Sequence, residues 1–258
     1  MTPQDKIRVD YHEGRVPTRM FDEYIQMMSS IFLKHNASLN YVNIGACDGE
    51  NDATQLMFWT DNNINGLFIE PLEANVKDFE SKIVTHAGAS FRTDIVQAAV
   101  NETCPKKLLE FERPKVIDGP QEHWMRREIG RIKRDQFDPS WTTDLVRCLT
   151  FEEVMREWHD LRRKRHMHSL ELRMSQHRPH AVKIDTEGND HAIIRSILGY
   201  PPRIMPLLIL YEIKTYSQKE INEVCTLLTK HGYSTNQNLL RPDGTFYFDD
   251  IIAILRKP

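Results

Sequence analysis

The run Tyr41-Val42-Asn43-Ile44, which stops at Gly45-Ala46-Cys47-Asp48-Gly49, constrains this chain more than any other stretch. Strand-forming residues that end at a cluster of small ones describe a buried strand leaving its sheet through a tight turn. One strand–helix unit later, Gly66-Leu67-Phe68-Ile69 repeats the apolar run and ends at Glu70-Pro71. An acidic residue at the tip of the second parallel strand, beside the glycine turn of the first, is half of a nucleotide-binding crevice.

The rest of the chain agrees with an α/β sheet. Residues 1–19 are polar and carry Pro3, Gly14 and Pro17, which suits an N-terminal arm. Over 21–33, Phe21, Tyr24, Ile25, Met28, Ile31 and Phe32 recur at helical spacing, so residues 1–39 read as an arm and a covering helix. The first strand is expected at 40–44, a short helix at 52–59, a turn at 62–66 and the second strand at 66–69. Pro71 suits the first turn of the next helix, striped by Leu72, Val76 and Phe79. A third strand falls within 95–100.

Residues 101–180 are irregular, with short strands expected at 107–111 and 146–149 and basic segments at 124–134 and 156–178. Regular alternation returns with a strand at 181–184, the turn Asp185-Thr186-Glu187-Gly188 and a helix carrying Ile193, Ile194 and Ile197. A strand at 207–213 and a helix at 218–232 follow, with Gly232 suited to the helix end. Strands at 233–240 and 246–255 close an antiparallel hairpin around Arg241-Pro242-Asp243-Gly244. The expected architecture is one Rossmann-like domain over 1–258: a mostly parallel central sheet, helices on both faces and an antiparallel C-terminal hairpin.

Composition removes several classes of function. The 258 residues include 40% hydrophobic and 28% charged, ordinary for a globular chain, and the net charge of -3 does not suit a surface built to hold nucleic acid. Residues 1–10 lack the apolar core of a signal peptide, and no run reaches the roughly 18–20 apolar residues that span a bilayer. Cys47, Cys104, Cys148 and Cys225 show no CxxC spacing, so neither a zinc knuckle nor a disulfide framework is expected. Together these point to a reduced, cytoplasmic setting.

Neither GxGxxG nor GxxxxGK[ST] occurs, so a dinucleotide pyrophosphate or a triphosphate has no evident cradle. Gly45 to Gly49 fits a ligand with a small zwitterionic end, and Glu70 is placed to accept both hydroxyls of a ribose. The apolar strand Val182-Lys183-Ile184 ends in Asp185-Thr186-Glu187-Gly188, and Glu212 and Lys214 follow the next strand. Ionisable groups thus gather at one sheet edge. A plain capping role for Asp185 on the next helix is the simpler account of that residue.

These residues resemble the FkbM-type S-adenosylmethionine-dependent methyltransferases. Val42 to Gly49 is similar to their first motif, Phe68-Ile69-Glu70-Pro71 to the second, Gln97-Ala98-Ala99-Val100 to the third, and Lys183-Ile184-Asp185-Thr186-Glu187-Gly188 to the KIDxEG signature, with Leu210-Tyr211-Glu212-Ile213 following. The resemblance covers about 40–100 and 180–256. It implies S-adenosyl-L-methionine as cofactor, with Gly45, Cys47, Asp48 and Gly49 along its methionine portion, and Glu70 with Pro71 at the ribose. Ala98 would lie near the adenine, with Gln97 or Asp94 as a partner. Asp185 would face the sulfonium region or the acceptor. Asn43 joins the cofactor-facing set, although it stands where the family carries an aspartate.

A hydroxyl acceptor needs a base, and Asp185, Glu187, Lys183 and His191 are the candidates, with Glu187 the first choice and Glu212 beside them. Asp185, Glu187 and Glu212 also suit Mg2+ as oxygen ligands. The basic stretch Arg162-Arg163-Lys164-Arg165-His166-Met167-His168 reads most simply as the solvated end of a helix packed through Trp158 and Leu161, and otherwise as a dock for an acidic acceptor. His159, His166, His168, His177 and His180 match no standard metal spacing. The expected activity is O-methylation of a hydroxyl on a sugar, glycan or small metabolite. An RNA ribose 2′-O-methyltransferase and a non-catalytic cofactor-binding scaffold are the alternatives, and the sequence indicates no oligomeric state.

Overall fold

The computed structural model describes residues 16–47, 64–85, 93–114, 131–132, 140–165, 178–201, 205–236 and 250–256. The expected helix at 52–59, Asp48, Gly49, the hairpin turn at 241–244 and most of the two basic segments lie outside these residues.

Helix α1 (Val16–Lys34) precedes β1 (Leu39–Ile44), β2 (Ile64–Glu70), α2 (Glu73–Thr85) and β3 (Thr93–Gln97). Strand β8 (Ala181–Ile184), α4 (Asp190–Leu198), β9 (Leu208–Glu212), α5 (Gln218–Lys230), β10 (Tyr233–Thr235) and β11 (Asp250–Leu255) complete the main body. The sheet order is β10-β11-β9-β8-β1-β2-β3, with the pairs from β9 to β3 parallel and β11 antiparallel to both its neighbours. This is the mostly parallel sheet with an antiparallel C-terminal pair that the alternation predicts.

Every residue of β1 and β2 is buried, because helices cover both faces. Val42, Ile44, Leu67 and Ile69 pack with Val154, Trp158, Ile193, Ile197 and Val224 on one face. Leu39, Tyr41 and Phe68 pack with Phe21, Ile25 and Phe79 on the other. The alternation along each strand divides one chain between two cores.

Several sequence expectations are corrected. Helix α1 begins at Val16, inside the expected arm, since Pro17 is tolerated in a first turn. Residues 64–66, expected in a turn, belong to β2, where parallel pairing to β1 outweighs the turn propensity of Asn65-Gly66. Pro71 lies before α2 rather than in its first turn. The third strand ends at Gln97, and Ala99–Val100 forms β4 of a separate sheet.

The described residues of 101–180 are more regular than expected. Strands β5 (Leu108–Pro114), β6 (Arg131–Ile132) and β7 (Trp141–Leu149) join β4 in a second sheet of order β4-β7-β5-β6. Helix α3 (Phe151–Arg165) opens on a capping box between Thr150 and Glu153 and buries Phe151, Val154, Met155 and Trp158 in the main core. Trp158 Nε1 donates to the buried Asp94 carboxylate at 2.9 Å, which ties α3 to β3. Arg162 lies over the Trp158 ring, 5.5 Å from its centroid, so the start of the basic stretch is the far end of a packed helix.

Cys104 and Cys148 are joined in a disulfide, with Cα atoms 5.5 Å apart and a sequence separation of 44. The expectation of no disulfide is therefore corrected. Pairing of β4 with β7 places Ala99 opposite Cys148 and brings the two sulfurs together, which residue spacing along the chain cannot show. The cysteines accordingly give no support to a reducing compartment. Among the described residues, no helix is long and apolar enough to cross a membrane.

Candidate functional site

Five strand ends meet along one edge of the sheet. In sheet order they carry Glu212 at the end of β9, Asp185 after β8, Gly45 after β1, Glu70 at the end of β2 and Ala98 after β3. Backbone pairing runs past the strands and holds these tips in register: Asp185 N–H to Ile44 O at 2.9 Å, Gly45 N–H to Ile69 O at 3.0 Å, and Ala98 N–H to Glu70 O at 3.1 Å. From β8 to β3 the row spans three strand spacings, about 14 Å.

A crevice follows this row, enclosing about 530 Å³ when counted out to its open mouth. Its apolar end is walled by Leu72, Ala98, Ala99, Val100 and Phe111, with Pro71 nearby, and its polar end by Asp185, Thr186, Glu187 and Asn189. Glu70, Gly45 and Cys47 lie between. Phe111 comes from β5, so the second sheet supplies one wall, where it packs with Leu72, Ala99 and Val146.

Glu70 is the most firmly held group of the row. Its carboxylate is buried and accepts N–H bonds from Cys47 at 3.0 Å, Leu72 at 3.0 Å and the Asn75 side chain at 3.1 Å. One side chain thereby fixes the turn after β1 and the entry to α2. Oε1 takes the Leu72 and Asn75 bonds and Oε2 the Cys47 bond, so both oxygens are tied to the turns on either side of the crevice.

Gly45 has a role different from the expected one. At φ +83° it adopts a backbone conformation that favours glycine, and a Cβ built there would stand 1.8 Å from the Asp185 carbonyl oxygen. Its bareness lets the β1 and β8 turns approach each other; clearance for a ligand is not what demands it. Cys47 and Glu187 also have positive φ, 51° and 54°, and both line the crevice. Left-handed backbone costs a side-chain-bearing residue about 1–2 kcal/mol, so the fold holds both turns in place against strain.

At the polar end, ligand atoms of Asp185, Glu187 and Glu212 all lie within 4.8 Å of one another. Two lysines oppose them: Lys183 Nζ is 3.5 Å from the Asp185 carboxylate and Lys214 Nζ is 2.7 Å from that of Glu212. The expected catalytic set, Asp185, Glu187, Lys183 and Glu212, is thus gathered in one place. The three carboxylates are largely balanced by two ammonium groups, so the charge pattern does not call for Mg2+.

Other expected site residues fall elsewhere. Asn43 is fully buried inside the sheet, neither of its side-chain amide atoms has a hydrogen-bond partner among the described residues, and it does not line the crevice. Gln97 is exposed and also outside it, and Asp94 is turned into the core toward Trp158. Side-chain alternation explains all three, since residues within a strand point to its faces while the crevice is built from residues past its end. His191 lines a separate hollow between α4 and α5, its ring stacked on Tyr216 at 3.5 Å, and burial lowers its pKa to about 4. It does not serve the crevice as a base. His180 is likewise neutral, lowered to about 4 by burial, and its Nδ1 accepts the Asn40 N–H at 2.8 Å.

Sequence reasoning assigned no role at the site to four residues. Phe111 and Leu72 wall the apolar end, and nothing local in the irregular stretch marked Phe111. Asn189 donates to the Val100 carbonyl at 2.7 Å and pins the signature loop to β4. Asp190, the first residue of α4, is wholly buried behind that loop. An acid opening a helix is the signal that could have drawn attention to it.

No protein-family model matches the chain, and no curated protein sequence matches it. Solved structures with a related chain path include the methyltransferase FkbM from Methylobacillus flagellatus KT, at TM-score 0.47 and 13% identity over 84% of this chain and 43% of that one. This chain therefore spans less than half of that protein. Precorrin-6y C5,15-methyltransferase from Geobacter metallireducens GS-15 matches at TM-score 0.38 and 11% identity, over 89% of each chain. The methyltransferase domain of bacterial CtHen1-CN matches at TM-score 0.40 and 8% identity, over 90% of this chain and 96% of that one. These are likenesses of chain path alone.

Proposed function

We propose that the chain is an S-adenosylmethionine-dependent methyltransferase that methylates a hydroxyl of a sugar, glycan or small metabolite. The observation that carries this reading is the order of chemistry along the strand ends: an apolar slot at Leu72, Ala98 and Phe111, a fixed carboxylate at Glu70, then the acidic group Asp185, Glu187 and Glu212. A purine, a ribose and a cationic amino-acid end need these environments in this sequence. The absence of a phosphate-binding glycine pattern supports a nucleoside without a phosphate chain.

The bound cofactor would supply an electrophilic methyl group on a sulfonium. Glu70 would hold the ribose hydroxyls, and Asp185 would orient the amino end while Lys183 keeps its carboxylate in place. Glu187 and Glu212 would accept hydrogen bonds from neighbouring hydroxyls of the acceptor and so fix the position of its attacking oxygen, and positioning of this kind accounts for much of the acceleration in such transfers. Three carboxylates against two ammonium groups leave this end of the crevice with a residual negative charge, which favours a neutral hydroxylated acceptor over the phosphate backbone of RNA.

Thermal denaturation with S-adenosylmethionine and S-adenosylhomocysteine tests the reading. At 100 times its Kd a specific ligand adds about 2.7 kcal/mol of stability. No shift at millimolar cofactor would sink the proposal. Binding without transfer to any hydroxylated pool would favour a non-catalytic scaffold, and transfer to RNA would favour the ribose 2′-O reading.

A further inference from the structure

Behind the polar end of the crevice lies a carboxyl group that the proposed transfer leaves unused. Asp190 is 0% exposed. Its Oδ2 accepts from the Thr186 hydroxyl at 3.1 Å and from the Gly188 N–H at 3.4 Å, while Oδ1 has no hydrogen-bond partner among the described residues. A carboxylate that served only the start of α4 would gain as much at the surface, without the desolvation. Thr186 itself lines the crevice and is partly exposed, so one hydroxyl joins the buried acid to the place where an acceptor would sit.

We propose that Thr186 and Asp190 form a proton relay for the methyl acceptor. This rests on the function proposed above. As the acceptor oxygen forms its bond to the methyl carbon, the carbon–sulfur bond breaks and its electron pair stays on sulfur, which becomes a neutral thioether. The acceptor's proton passes to Thr186 Oγ1, and the proton already on Thr186 passes to Asp190 Oδ2. Asp190 ends neutral, and solvent restores its charge after the product leaves.

The surroundings suit that role. The ionisable groups facing Asp190 are Asp185 after β8, Glu212 and Tyr211 on β9, and Tyr216 beyond it. Burial first, then the Asp185 and Glu212 charges, raise the Asp190 carboxyl to about 7. A base is most effective when its pKa lies near the working pH. Asp185 and Glu212 are each engaged by a lysine instead, Lys183 and Lys214.

The test uses the full chain in three steps. S-adenosylhomocysteine titration of the wild type comes first, and failure to bind removes the proposed function itself. Carboxyl ¹³C NMR of the ligand-free protein follows. One signal should titrate near pH 7, be missing from Asp190→Asn and move upward in Thr186→Val, since the Thr186 hydrogen bond favours the charged form. An Asp190 titrating in the ordinary carboxylate range overturns the relay even before an acceptor is known. With an acceptor, Thr186→Val should lower kcat about 100-fold or more and lose the pH limb near 7, Thr186→Ser should restore both, and cofactor affinity should hold throughout. Thr186→Val at wild-type rate and pH profile overturns the relay and leaves the proposed function standing. If Asp190→Asn does not fold, the Thr186 pair carries the same decision.

Discussion

Substituting Asp190 by asparagine should reverse part of the protein's pH dependence of stability. The native carboxyl is raised to about 7 from 3.8, so the folded state holds its proton across a range where the unfolded state has released it. Well below pH 3.8 both states hold the proton and the group contributes nothing. As pH rises through 4 to 7 the wild type loses stability from this site, and above 7 the loss is complete. A raise of about three pKa units at about 1.4 kcal/mol each sets an upper bound on the order of 4 kcal/mol. Asparagine cannot ionise, and the fixed cost of packing its amide is the same at every pH. The difference in unfolding free energy between Asp190→Asn and wild type should therefore grow by up to this amount from pH 4 to pH 8, in favour of the variant. Urea unfolding of both proteins in half-unit pH steps measures it, and His180 and His191 cancel because both proteins carry them. Parallel curves would refute the reasoning, showing that the Asp190 carboxyl is solvated or paired in the native state.

Gly45→Ala should destabilise the fold by about 3 kcal/mol or more, because the added Cβ meets the Asp185 carbonyl and the φ of +83° suits no L side chain; denaturant melts check it, and a near-neutral effect would mean the two turns can separate. Phe111→Leu should weaken binding of adenosine and of S-adenosylhomocysteine alike, by about 1–3 kcal/mol, with the melting temperature nearly kept; equal affinities in calorimetry would place the purine away from β5. Replacing both Cys104 and Cys148 by serine opens a link across 44 residues of sequence, a constraint valued at about 4 kcal/mol by loop entropy, and non-reducing urea melts of the two proteins compare it directly. Chelation with EDTA should leave turnover unchanged, since Lys183 and Lys214 already balance Asp185 and Glu212; loss on chelation with recovery in Mg2+ would show that a cation does so.

The amino-acid order by itself determined the sheet and the edge along which the crevice runs. Apolar runs that end in Gly45, Glu70 and Asp185 read as strands buried on both faces whose ends turn at one side, and β8 matches its expected bounds, Ala181–Ile184. Turn and acid chemistry at those ends is local, so it is legible in single residues. What required the tertiary structure was everything set by contact between distant segments. Asn43 and Asp94 carry the right chemistry, but alternation along their strands turns them away from the crevice. Gly45 is dictated by the backbone of Asp185, 140 residues further on, and not by the ligand inferred from its own turn. Phe111 reaches the crevice, and Cys104 reaches Cys148, only because β4 pairs with β7 and β7 with β5. Asp190 looks like an ordinary helix-opening acid in sequence, and its chemistry comes from burial beside Asp185 and Glu212. The solvent taken away from a residue, and the charges brought to it, are properties of the packed molecule.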